Sequence, residues 1–87
     1  MATVFIPALM RNMTGGKDRV EIAGHNLRAI VEGLEAEFPG IKDFLLQDGR
    51  IRPGLALAVD GAPTAKGLVM EVPEHAEVHI LPALGGG

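Results

Sequence analysis

Only one stretch of this 87-residue chain carries a helical period, and it lies between segments that alternate like strands. From Asn26 onward the apolar residues Leu27, Ile30, Val31, Leu34 and Phe38 recur at three- and four-residue spacing and form a single stripe. Arg28, Glu32, Glu35 and Glu37 fall largely away from that stripe. Asn26 is a good N-cap and Pro39-Gly40 a good stop, so the spacing predicts one helix with both ends marked. Gly33 inside it lowers helix propensity by about 1 kcal/mol relative to alanine and leaves room for close packing. Ile41, Phe44 and Leu45 suit one further turn before the polar signal Gln47-Asp48-Gly49.

A lone amphipathic helix must bury its stripe against something, and the flanking segments supply a sheet. Thr3-Val4-Phe5-Ile6-Pro7 reads as a first strand closed by its proline. Arg19-Val20-Glu21-Ile22 alternates as a second, joined to the first by a long loop through Thr14-Gly15-Gly16-Lys17. After the helix, Leu55-Ala56-Leu57-Ala58-Val59 alternates up to Asp60-Gly61, a strong hairpin dipeptide. A short extended piece is expected around Leu68–Val72, and Glu77-Val78-His79-Ile80-Leu81 alternates into Pro82, which is expected to end the pairing. Strand, strand, helix and two or three more strands make an α+β domain of one sheet with one helix across a face.

The residue inventory removes most kinds of function. A net charge of −3 with no basic run lacks the electrostatic footprint of a nucleic-acid binder, and the only aromatics are three phenylalanines, a poor base-stacking set. The absence of cysteine excludes a disulfide framework, a thiolate zinc site, an iron–sulfur cluster and a cysteine nucleophile. A chain of this length has one modest core and no room for a deep catalytic cavity. No apolar run approaches a membrane span, and Met1–Ala8 has no Lys or Arg and is too short for a signal peptide, so a soluble cytoplasmic chain is expected.

Two constellations invite chemistry and lack the parts for it. Gly15-Gly16-Lys17 suggests a phosphate loop, but Arg11 and Asp18 occupy the places where that motif needs a glycine and a Ser or Thr. It reads as a hairpin loop. His75, Glu77 and His79 alternate and could share a strand face, yet their spacing of about 6.6 Å suits a tetrahedral ion poorly and no fourth ligand is evident, so no metal is expected. Thr3, Thr14 and Thr64 are the only side-chain hydroxyls other than carboxyl groups, and none neighbours a histidine in sequence.

The sequence Leu81-Pro82-Ala83-Leu84-Gly85-Gly86-Gly87 is different. Past Pro82 it has no charge and almost no side chain, so it can project as an arm of up to about 20 Å. Glycines let a backbone thread a narrow channel and leave the terminal carbonyl open to attack, while a chemically idle tail would have the same composition.

Taken together, the strand ending Phe5-Ile6-Pro7, the Thr14-Gly15-Gly16 loop, the helix running into Phe38-Pro39-Gly40-Ile41, the turn after Leu57-Ala58-Val59 and the ending Ile80-Leu81-Pro82-Ala83-Leu84-Gly85-Gly86-Gly87 resemble the MoaD/ThiS family of ubiquitin-like sulfur carriers. The Thr-Gly-Gly loop and the Phe-Pro-Gly-Ile segment look most like its CysO-type branch, whose carriers deliver sulfur for cysteine synthesis. Asp60 stands where many members have asparagine, and Gly85 where alanine is more common.

The resemblance implies a β-grasp fold: a four- to five-stranded mixed sheet with one main helix packed across one face, formed by residues 1–82, and a flexible reactive tail over 83–87. It also implies a protein co-substrate in place of an enzyme. An adenylating partner of the ubiquitin-activating type would use ATP to activate the Gly87 carboxylate, and a sulfur donor would convert it to a thiocarboxylate. A sulfur-accepting synthase, of the cysteine-synthase kind, would then consume the sulfur. Gly85 and Gly86 would fill the partner's channel, and Leu81, Leu84, Phe5 and Leu57 would form an apolar docking patch on the exposed sheet face. The carrier itself binds no cofactor and is expected to be a monomer when free. The small subunit of molybdopterin synthase, carriers for thiamine or tRNA thiolation, and a ubiquitin-like modifier of lysines are the alternatives within the same resemblance.

Overall fold

A computed structural model describes residues 1–63 and 67–82. β1 (Ala2–Phe5) and β2 (Arg19–Ile22) form an antiparallel pair with Val4 opposite Val20. The loop between them contains a 3-10 turn over Ala8–Met13 that the sequence did not announce. It closes at Thr14, buried, whose hydroxyl lies 2.9 Å from the Lys17 carbonyl and 3.2 Å from the Arg11 carbonyl that it can donate to. The Gly16 N–H also donates to Arg11 O at 2.8 Å, so the Thr-Gly-Gly loop is a closed turn, with no vacant donor there for a phosphate.

α1 (Leu27–Glu37) starts at the expected cap: Asn26 Oδ1 accepts the Ala29 N–H at 2.8 Å. Leu27, Ile30, Val31 and Leu34 are buried, as the stripe requires, and Phe38 packs partly buried against them. Gly33 faces β2 so closely that a Cβ there would lie 2.6 Å from the Ile22 Cγ2. The helix therefore sits on the sheet at a distance only glycine allows. α2 (Ile41–Leu45) is the further turn expected, and the Glu35 carboxylate caps it, accepting from the Lys42 N–H at 2.9 Å and the Gly40 N–H at 3.1 Å.

β3 (Leu46–Gln47) and β4 (Arg50–Ile51) make a small hairpin around Asp48-Gly49, where only a turn was expected. β5 (Leu55–Val59) and β6 (Ala62–Pro63) pair around Asp60-Gly61, whose φ values of 51° and 83° match the two-residue turn that Asp-Gly favours. The piece expected to be extended around Leu68–Val72 is instead a 3-10 turn over Gly67–Val69, and only Glu71 bridges, to Asn26. Leu68 is buried there, so a single side chain was read as part of an alternation. β7 (Glu77–Pro82) enters the middle of the sheet, parallel to β1 and antiparallel to β5. Pro82 is the last paired residue, opposite Leu55, so pairing runs through the proline and does not stop before it.

The result is a five-stranded mixed sheet in the order β2-β1-β7-β5-β6, with α1 across one face. One face of every long strand feeds a single core: Val4, Val20, Ile22, Leu57, Val59, Val78 and Ile80 meet the helix residues. No helix among the described residues is long and apolar enough to cross a membrane.

Two outcomes follow. Gly33→Ala is expected to destabilise the fold by about 1–2 kcal/mol despite the better helix propensity of alanine, because overpacking against Ile22 outweighs it. Urea unfolding measures the sign. Hydrogen bonds from the Lys42 and then the Gly40 N–H hold the Glu35 carboxyl below its ordinary value of 4.5. A depressed folded-state value means the stabilisation is complete above the ordinary value and lost as pH falls through the folded one. Glu35→Gln is therefore expected to lower the melting temperature at neutral pH, with the gap to the native chain closing between about pH 5 and about pH 3.

Candidate functional site

Alternation along the strands puts Thr3, Phe5, Arg19, Glu21, Ala56, Ala58, Glu77, His79 and Leu81 on the sheet face away from α1. At its centre the Phe5 and His79 rings stack, centroids 4.4 Å apart and planes 3° from parallel. They are direct neighbours in the β1–β7 register. The Arg19 guanidinium lies 5.3 Å above the same phenylalanine, and the His79 Nε2 lies 3.5 Å from the Glu77 carboxylate. A half-buried aromatic plate thus has a cation on one flank and a carboxylate on the other.

The chain leaves the sheet beside this plate. β7 carries Leu81, 44% exposed, past His79 and ends at Pro82. Because β1 and β7 are parallel, β1 ends at the same end of the sheet, where the following turn exposes Leu9 at 57%. The root of β7 is fixed at its other end: the Asp60 N–H donates to the Glu77 carbonyl, and the Glu77 N–H donates to Asp60 Oδ1, both at 2.8 Å. An asparagine would offer the same oxygen and tolerates the same left-handed backbone, so the Asp60 departure from the family pattern keeps the tie.

The expected docking residues divide. Phe5 and Leu81 lie on the open face. Leu57 does not: it is 3% exposed, pairs with Ile80 and belongs to the core under α1. Alternation fixes which residues share a face but not which face is covered, and Leu57 was assigned to the wrong one. Leu84, Gly85, Gly86 and Gly87 lie outside the described residues. His79 and Arg19 were missed as companions of Phe5, because only the β1–β7 register brings histidine and phenylalanine together. His75, grouped with Glu77 and His79 by spacing, precedes the strand at a φ of 65° and does not share their pleat. Among the described residues no three His, Cys, Asp or Glu side chains gather closely enough to hold a metal ion.

The sulfur carrier protein CysO of Mycobacterium bovis and that of Mycobacterium tuberculosis are each 32% identical to this chain over a 90-residue alignment that covers 98% of it and 97% of them. The chain belongs to the CysO sulfur-carrier family. A chain in the crystal structure of the BexX/CysO complex of Amycolatopsis orientalis superposes with a TM-score of 0.92 at 31% identity, each covered in full. The crystal structure of Mycobacterium tuberculosis CysO gives 0.91 at 30% identity, covering 97% of this chain and all of the other. The small archaeal modifier protein 1 of Methanosarcina acetivorans, 19% identical with a TM-score of 0.81, shares the ubiquitin-like β-grasp fold. No family model matches the chain. CysO-family membership agrees with the branch that the Thr-Gly-Gly loop and Phe-Pro-Gly-Ile segment resemble, and members act as protein co-substrates without catalysing a reaction themselves.

Leu57 and Leu81 offer a direct contrast. Leu57→Ala is expected to cost about 2–5 kcal/mol by opening a cavity under α1, whereas Leu81→Ala should stay within about 0.5 kcal/mol of the native chain. Equal losses in denaturant unfolding would contradict the facing assigned here.

Proposed function

We propose that this chain carries sulfur on the carboxyl group of Gly87 and delivers it in a biosynthesis of the cysteine type. The observation that carries the reading is the near-complete alignment with CysO sulfur carriers, which spans the sequence from the first strand to the glycine-rich ending. An activating enzyme joins the Gly87 carboxylate to the AMP moiety of ATP, releasing pyrophosphate and turning a poor leaving oxygen into a good one. A sulfur donor then attacks the acyl carbon, AMP departs, and Gly87 becomes a thiocarboxylate. An acceptor substrate held by a second enzyme takes the sulfur and regenerates the carrier.

The residues present suit that role. Gly85 and Gly86 carry no side chain into the narrow channel that an adenylating site requires. Leu81 and Phe5, with Leu84 beyond them, supply apolar area for a docking partner, and Leu9 at the same end enlarges it. Arg19 and Glu77 flank the plate and set the orientation of a partner more than its affinity. An Amycolatopsis CysO has been crystallised with BexX, and a partner of comparable fit is proposed here on the outer sheet face.

With ATP, a sulfur donor and the cognate activating enzyme, intact-protein mass spectrometry is expected to show one oxygen replaced by sulfur, and fragmentation to locate it at Gly87. Deleting Gly86 and Gly87 should abolish the change. Leu81→Ala should raise the carrier's KM for activation about fivefold or more with kcat little altered. Lysines of other proteins bearing a remnant of this C-terminus, with no thiocarboxylate formed, would identify a modifier instead.

A further inference from the structure

The five-stranded sheet ends in two unlike edges. At one, β6 has two residues, Ala62–Pro63, and its proline has no N–H to offer. At the other, β2 runs four residues without a proline, and no strand among the described residues pairs with its outer side. The Ile6 N–H donates to the Asp18 carbonyl at 2.8 Å and so sets the phase of the β1–β2 ladder. Alternate pairs in an antiparallel ladder exchange hydrogen bonds. Val4–Val20 and Ala2–Ile22 are therefore bonded inward, while Arg19 and Glu21 turn both N–H and C=O toward the free edge. Both residues are exposed, and their side chains share the outer face.

We propose that this edge pairs with the same edge of a second copy, antiparallel about a two-fold axis through Val20. In that register Arg19 of each copy lies opposite Glu21 of the other, and the outward N–H and C=O groups of both residues bond to their counterparts. A guanidinium meets a carboxylate on each side of the axis, and the two Val20 side chains meet beneath. The charges select the register: an axis through Arg19 would set arginine against arginine, and one through Glu21 glutamate against glutamate. A strand reading Arg-Val-Glu is thus self-complementary in one alignment, as a two-fold contact demands, and its charges discourage apolar strands from adding there. The existing contacts of these side chains, Arg19 with Asp18 at 3.8 Å and Glu21 with the Thr3 hydroxyl at 2.7 Å, are solvent-exposed and leave donors and acceptors to spare. So short an edge buries far less than the roughly 1,200 Å² of a stable interface, and the chain is a monomer when dilute. The two β7 strands end at opposite ends of the joined sheet. Pairing therefore leaves both tails outward, and the inference stands apart from the sulfur-carrier reading.

Sedimentation velocity and amide NMR between about 10 μM and about 1 mM test it, a range suited to a weak contact. The expected result is a mass rising with concentration and amide shifts centred on residues 18–22. Arg19→Glu alone and Glu21→Arg alone should each weaken self-association about tenfold. Mixing those two variants should restore pairing, as should carrying both substitutions on one chain. A monomer across the whole range overturns the proposal. So do shifts centred on β6 or on Phe5, single charge reversals that associate like the native chain, or a double substitution that fails to pair.

Discussion

The parallel ladder between β1 and β7 is the interaction on which the rest of the structure depends. It joins residues from the two ends of the described chain, Thr3 with Glu77, Val4 with Val78 and Phe5 with His79, and occupies the centre of the sheet. Val4 and Val78 then face α1 from adjacent strands, and both are almost wholly buried. On the other side the same register stacks Phe5 on His79. One pairing thus builds the core and the outer plate at once, and a slip by one residue would exchange them.

Against this ladder the helix is seated by exclusion as much as by attraction. The apolar stripe of α1 buries four side chains, but the approach at Ile22 is set by what Gly33 lacks. Its carboxyl end is turned into α2 by Glu35, an exposed acid whose two oxygens satisfy N–H groups that a five-residue helix cannot satisfy internally. Asp60 does comparable work at the start of β7, where turn geometry and a side-chain oxygen act together. Short polar contacts of this kind fix where elements begin, while the apolar face supplies the bulk of the stability.

The local pattern of the sequence foretold the helix, its Asn26 cap, the stop at Pro39-Gly40, the turn after it and the Asp60-Gly61 hairpin, because each depends on residues within one or two turns. What depended on distant partners was harder to read. Leu57 was placed on the open face because period two does not reveal which side the helix covers. Leu68 looked like part of a strand because one buried leucine in a 3-10 turn mimics an alternation. His79 looked like one member of a polar row, since only the β1–β7 register shows that it lies on Phe5. Within the site, Phe5 and Leu81 were legible, and the companions that make them a surface were not.

The position of β7 also has a consequence in time. Ladders between distant residues form late, because a long loop must close before any of their contacts can repay it. During synthesis the β1–β2 hairpin and α1 are complete long before Glu77 is added, and until then β1 has one unpaired side and the helix stripe lacks half its floor. The nascent chain therefore passes through a stage in which the central groove of the sheet stands open, and the last strand to be made is the one that closes it.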